Sequence, residues 1–361
     1  MTKPKLFIPG PVDVAKETYE AMCRPMIGHR GSDFEELYAS IQPGLRAIAG
    51  STRPVFLSTS SAWGVMEGAI RNLVQKKVLN LCCGAFSDKW FDVARRCGCK
   101  ADKVQVEWGQ PIPPEAVRAK LEEGGFDTVT LVHNETSTGV MNPLPEIAAT
   151  VREFEDVLLV VDTVSSFSAV PTPFDDLGLD VLLAGVQKAL ALPPGLSLFT
   201  VSERAMARAE STPDRGYYFD FLEFARNDAK NNTPSTPSIA HLYALKQQID
   251  AIHAEGLENR YARHARTNRL VHHWVAHHGF HHFAPEGFRS KTLTAVANNL
   301  NLDLPAAIAA LRNKHHFLIN GGYGKIKGAT FRISNMGNET EDSIRQLLAA
   351  LDDVLPDFLP G

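Results

Sequence analysis

Apolar residues along the chain fall into two alternating kinds of run. Val55–Leu57, Val78–Cys82, Val104–Val106, Thr128–Val132, Val157–Val161 and Val181–Leu183 are short and rich in Val and Leu, as expected of strands buried on both faces. Between them lie Ala62–Val74, a segment from Gly84 through Arg96, Pro114–Glu122 and Leu144–Phe154, which read as helices. This rhythm predicts an α/β fold with a mostly parallel sheet covered by helices, and Ser197–Val201 reads as an antiparallel strand at its edge.

Flanking segments extend the pattern. Phe7–Val12 reads as an extended arm closing in a Pro-Gly-Pro turn, Val14–Cys23 as a helix, and Ser32-Asp33-Phe34-Glu35 as a capping box opening a helix to Ala49. Ile239–Ala254 and Glu258–His278 are long helices. Beyond them come a strand at Lys291–Ala297, a helix at Leu304–Asn313, a strand at Ala329–Ser334 and an amphipathic helix at Thr340–Val354. The expected organisation is an arm over 1–16, a large domain over 17–254 and a small domain over 255–361.

Composition narrows the classes of function. A net charge of −4 with no basic stripe argues against nucleic acid or an anionic membrane as partner. No apolar run approaches the ~20 residues of a membrane span. The start, MTKPKLFIPGPVD, has no apolar signal core, and the five cysteines, the last of them Cys99, read as reduced thiols of a cytoplasmic enzyme. Neither Cys97-Gly98-Cys99 nor the histidines between His272 and His282 come with the further ligands a metal needs.

Candidate chemistry sits where strands end. Asp162 follows one apolar run and Gln187-Lys188 closely follows another, which places a carboxylate and an amine beyond the carboxyl ends of neighbouring strands. Singly, such an Asp reads as a turn residue and such a Lys as solvated. Together they supply what pyridoxal 5'-phosphate (PLP) requires: an amine to condense with its aldehyde and an acid to keep its pyridine nitrogen protonated. Ser58-Thr59-Ser60-Ser61 stands before a helix N-terminus, a ready anion site. Arg332, between Phe331 and Ile333 on a strand, is expensive to bury without a carboxylate.

These segments carry a resemblance. GVQKALALPPG, VVDTVSS and HNETSTGV are similar to the lysine, aspartate and third strand-end segments of the class V aminotransferases, alanine or serine to glyoxylate or pyruvate, and the similarity covers nearly the whole chain. It implies PLP fold type I, with a mostly parallel seven-stranded sheet in the large domain, a smaller α+β C-terminal domain, and a homodimer with active sites at the subunit interface. It assigns Lys188 and Asp162 to catalysis, Ser60, Ser61, Ala62, Phe86, Thr136, Gln187 and Thr233 to the cofactor, and Arg332, Asn134 and Gly10 to the substrate. Thr233, in a segment like the family's TPSTP, is offered to the partner subunit's cofactor. His29 and Arg30 match a loop pair near the site entrance. Two departures stand out: Ser60, Ser61, Ala62 and Trp63 replace the usual Ser-Gly-Ser-Gly and its following small or His residue, and Val186 replaces a common Ser.

Small donors are expected because Trp63 and Tyr217–Phe221 leave little room. A phosphoserine or aspartate preference stays open. A desulfurase would need a nucleophilic Cys on a late loop, and none follows Cys99. A dinucleotide-dependent dehydrogenase would need G-x-G-x-x-G after the first strand, which is missing. A non-catalytic dimeric binding protein on this scaffold would be expected to have lost Lys188 or Asp162.

Overall fold

The structure is a computed structural model that describes residues 3–360, so residues 1 and 2 of the expected arm and Gly361 of the expected small domain lie outside it. Seven strands form the main sheet, in the spatial order Phe56–Ser58, Ser197–Val201, Val181–Gly185, Leu158–Asp162, Thr128–Val132, Val78–Cys82 and Ala101–Gln105. Every neighbouring pair is parallel except those made by Ser197–Val201, which runs antiparallel to both its neighbours. That strand therefore lies one place in from the edge, not at it, because Phe56–Ser58 pairs along its outer side.

Period-two alternation sorts side chains between the faces. Leu79, Leu81, Val129, Leu131, Leu159 and Val161 join the core under helices Ser32–Ala49 and Ile239–Glu255. Val78, Val132, Leu158 and Val160 join the core under helix Ala62–Leu73 and Trp90 of helix Ala85–Arg96. Asp162 continues the series of Leu158 and Val160, so its carboxylate emerges on the side that helix Ala62–Leu73 covers. The chain steps outward from Val78–Cys82 to Ala101–Gln105, then returns to the other side with Thr128–Val132. Strand order reverses there, and such a switch point opens a crevice at the carboxyl ends.

Past Gly256, helix Leu257–His277 packs on a second, antiparallel sheet ordered His281–His282, Leu293–Ala297, Thr330–Ser334, Asn320–Gly321. Phe331 and Ile333 enter the core beneath this sheet, and Arg332, alternating with them, turns to the opposite face. The N-terminal arm binds the same unit: Lys5–Leu6 pairs with Phe317–Leu318, and Phe7 is fully buried in its core. From there the arm crosses to the first sheet, where the Val12 N–H donates to the Gln187 carbonyl at 3.2 Å.

One further local expectation differs from the structure, and two helices lie where none was expected. Helix Ser32–Ala49 starts after Gly31 without a side-chain cap, because the Ser32 hydroxyl turns to Asp33. Helices Glu203–Ser211 and Phe221–Asp228 form behind Ser202 and Asp220, whose side chains accept from Ala205 and Leu222 N–H. These caps are readable N-terminal signals that the sequence reading passed over. No helix among the described residues is long and apolar enough to cross a membrane.

Candidate active site

A cavity of about 220 Å³ opens at the switch point, and nine of the residues singled out from sequence line it: Gly10, Ser61, Ala62, Phe86, Asn134, Thr136, Asp162, Gln187 and Lys188. They arrive from the arm, a helix N-terminus and the ends of four strands, so only the fold brings them together.

Lys188 projects from the loop after strand Val181–Gly185, and its amine donates to the Pro9 carbonyl of the arm. Gly10 lets this happen. Its φ of +118° suits glycine, and a Cβ there would stand 2.7 Å from the Lys188 Cδ. Burial favours the neutral amine and lowers the Lys188 pKa to about 8, with Arg332 pushing the same way and Asp162 opposing. Asp162 is 6% exposed, and its Oδ1 accepts the Val164 N–H at 2.7 Å. Its other carboxylate oxygen has no partner among the described residues. Burial raises the Asp162 pKa to about 7, with the Val164 N–H and Lys188 opposing and the charge of Glu135 adding to the rise.

Around this pair several polar groups lack partners. Asn134 donates to the Ser165 carbonyl and the Thr292 hydroxyl, both at 2.8 Å, while its buried Oδ1 accepts nothing. The Gln187 amide has no hydrogen bond among the described residues. Ser61 precedes helix Ala62–Leu73 without capping it, and no acceptor in the described chain takes the Ala62 or Trp63 N–H. Those free donors, with the positive end of the helix dipole, form an anion-binding terminus. Thr136 shares a 2.5 Å hydrogen bond with Ser165.

Three of the singled-out residues do not line the cavity. The Ser60 hydroxyl bonds Ser58 and Ser197, at 3.0 and 2.7 Å. Thr233 sits across the same turn, its hydroxyl donating to the Ser235 carbonyl and its own carbonyl held by Arg30. Arg332 stands just behind the wall, 6% exposed, with Nη1 donating to the Thr136 carbonyl at 3.3 Å and Nε to the Gly321 carbonyl at 3.2 Å. No carboxylate pairs with it among the described residues. Arg30 and His29 face the Asn232–Thr236 segment, outside the cavity. Of the aromatics expected to limit room, Trp63 lines the cavity. The 217–221 segment does not: Tyr217 is 70% exposed and Phe219 packs on Gly64 and Gly68.

Ser165, Met66 and Pro194 line the cavity without having been singled out. Ser165 lay in view within VVDTVSS, three residues past Asp162. Glu135 was also passed over. Fully buried, it accepts from the Phe86 and Ser87 N–H groups and the Ser87 and Ser137 hydroxyls, which fixes the start of the helix that carries Phe86. No cysteine lines the cavity. Cys83 is fully buried, and burial pushes its thiol up to about 12.

Comparison with known proteins agrees with this architecture. An uncharacterized aminotransferase of Methanocaldococcus jannaschii is 35% identical over 99% of this chain and 94% of its own length. A serine–glyoxylate aminotransferase of Arabidopsis thaliana is 30% identical over 98% and 90%. The crystal structure of an alanine–glyoxylate aminotransferase from Nostoc superposes with a TM-score of 0.93 at 30% identity, covering 98% of this chain and 96% of that one. The family described as aminotransferase class-V matches residues 71–307, and the chain belongs to it.

Proposed function

We propose that this enzyme binds PLP and moves an amino group from a small L-amino acid, alanine or serine, to a small 2-oxo acid, glyoxylate or pyruvate. The observation that carries this reading is the shared cavity of Lys188 and Asp162, a half-buried amine and a buried carboxylate with one oxygen unpaired among the described residues. The donor set fits the cofactor: a half-satisfied acid for a ring nitrogen, unpaired N–H groups and a free Gln187 amide for a phosphate, and an orphaned Asn134 oxygen.

When bound, PLP supplies an electrophilic aldehyde and a ring able to take up the electron pair released at the substrate α-carbon. Asp162 would hold the proton of the ring nitrogen. The Phe86 side chain would pack on its ring, and Thr136 and Asn134 would offer hydrogen bonds to ring substituents and substrate. Ser61, the Ala62 and Trp63 N–H groups and Gln187 would hold the phosphate. Ser60, its hydroxyl already engaged, shapes that turn. The Lys188 amine would hold the aldehyde and, once free, would move the proton at the substrate α-carbon. Its depressed pKa of about 8 leaves a useful fraction of neutral amine near neutral pH. Arg332, lacking an internal carboxylate, receives the substrate's, and Gly10 borders the space between.

The working form is a homodimer. Thr233 and Arg30, together on one face and outside their own chain's cavity, serve the phosphate and entrance of the partner's site. Small donors suit a cavity narrowed by Trp63. A desulfurase has no support, as no thiol reaches the cavity.

A donor–acceptor panel followed by visible absorbance tests the reading. Alanine or serine should bleach the lysine-bound chromophore and glyoxylate or pyruvate should restore it. Protein that takes up no PLP, or a chromophore that neither amino acid alters, refutes the proposal.

A further inference from the structure

The glycine-rich segment Gly321–Gly328 enters the site so far described only through the Gly321 carbonyl, yet it lies against two of its members. Tyr323, 46% exposed, stacks on Phe86 with ring centroids 5.4 Å apart and planes within 14°. The Arg332 guanidinium carbon lies 5.7 Å from the centroid of the same tyrosine ring. Phe86 belongs to the large sheet's crevice and Arg332 to the small sheet, so a single tyrosine touches both units.

The segment is built to hold that pose. The Gly322 N–H donates to the Thr330 carbonyl at 2.6 Å, and a Cβ on Gly322 would meet the Ile326 carbonyl oxygen at 2.2 Å. Gly324 has a φ of +60°, and a Cβ there would stand 3.0 Å from the Trp108 ring, over which the Lys325 amine sits at 4.4 Å. Trp108 is itself fixed by its indole N–H donating to Asp88 at 2.9 Å. The segment thus rests on the large unit at both Phe86 and Trp108.

Arg332 has three anchors: the Thr136 carbonyl, the Gly321 carbonyl and the Tyr323 ring. Two of the three come from this segment. A guanidinium with no carboxylate partner among the described residues needs such anchors to keep one orientation beside the cavity wall. Stacking on Phe86 and the cation–π contact with Arg332 are each modest, and both act through one ring. The Tyr323 hydroxyl makes no hydrogen bond among the described residues, so the ring does the work.

We propose that Tyr323 is a positioning residue that locks Arg332 in its carboxylate-binding pose by bridging it to Phe86. The inference rests on the role given to Arg332 under the proposed function and adds the element that sets its orientation. It predicts a specific split in kinetics: losing the ring weakens substrate binding more than it slows chemistry.

The test compares wild type, Tyr323→Ala and Tyr323→Phe as PLP-loaded enzymes. KM for alanine and the dissociation constant of propionate, read from the chromophore, are measured beside kcat and PLP affinity. Tyr323→Ala should raise KM and the propionate constant roughly tenfold, from the loss of two aromatic contacts. Its kcat should change by less than about threefold, and its PLP affinity should hold. Tyr323→Phe should restore wild-type values, since the hydroxyl is unpartnered. Unchanged KM and propionate binding in Tyr323→Ala overturns the proposal, as does a loss of kcat or PLP affinity without a change in KM. A wild-type enzyme that turns over alanine while ignoring propionate removes Arg332's assigned role and this inference with it. A wild type that takes up no PLP removes the functional reading itself.

Discussion

Three buried aspartates stand at the two ends of one sheet, and they are treated differently. Asp127 and Asp180 precede strands at the amino end. Asp127 accepts the Gln75 and Lys76 N–H groups at 2.9 and 2.6 Å with Arg208 alongside. Asp180 accepts the Leu159 N–H and the Ser202 hydroxyl at 2.9 and 2.7 Å, with Arg204 nearby. Asp162, at the carboxyl end, has one N–H on one oxygen and nothing on the other among the described residues. Burial without a partner is costly for a charge. The amino-end aspartates are completed by the fold itself, as is Glu135 just past the carboxyl end, and the carboxyl-end aspartate awaits something from outside. Arg332, equally buried and without a carboxylate, belongs with Asp162 in this respect.

The largest expected effect tests that contrast at Asp162. Asp162→Asn keeps the shape and removes the acid, so turnover should fall on the order of 10²–10⁴, while the PLP-free protein should not be destabilised. A carboxyl raised from its ordinary value of 3.8 to about 7 opposes folding once ionised. That penalty is absent below about pH 4, grows as pH rises and is complete above about pH 7. PLP-free Asp162→Asn should therefore be more stable than wild type at pH 8, by as much as about 4 kcal/mol, and the gap should close at pH 4. Denaturant unfolding at both pH values checks this, and an equal loss of stability at both would put Asp162 with the structural acids.

A smaller effect is expected at Arg332. Arg332→Gln removes a buried charge that holds only two carbonyls inside the chain. KM for the amino donor should rise on the order of 10², the scale of one desolvated charge pair. Denaturant stability should change little, because no internal carboxylate is orphaned. A large loss of stability with KM preserved would show that Arg332 serves the fold.

Legibility from sequence follows the same division. The strands were readable because burial on both faces leaves continuous apolar runs, and Asp162 and Lys188 were readable because each breaks such a pattern at its end. The place of Ser197–Val201 was not, since which strand pairs along its outer side depends on contacts 139 positions apart, as between Ser58 and Ser197. Ser60 and Ser61 look alike in sequence, and only the fold turns one hydroxyl to Ser197 and the other to the cavity. Glu135 hid within a polar run that reads as a turn, although a carboxylate buried at a helix start does as much to set the site as any lining residue. Tyr323 gave no signal, because its meaning lies in two rings and a guanidinium contributed by different units.

The smallest effect on catalysis should come from an acid that serves the fold. Asp180→Ala strips the Leu159 N–H and the Ser202 hydroxyl of their acceptor inside the sheet. An orphaned buried donor costs about 1–3 kcal/mol. Arg204 adds little to this, its side chain being 48% exposed and screened by solvent. A loss of about 2–3 kcal/mol in denaturant unfolding is expected, with KM and kcat per folded molecule within about twofold of wild type. Leu159 lies on the strand that ends in Asp162, so the variant also asks whether disturbance travels along that strand. Should kcat fall with stability, the amino end would be supporting the chemistry rather than only the sheet, and the separation between a completed end and an open end would fail at the strand the two share.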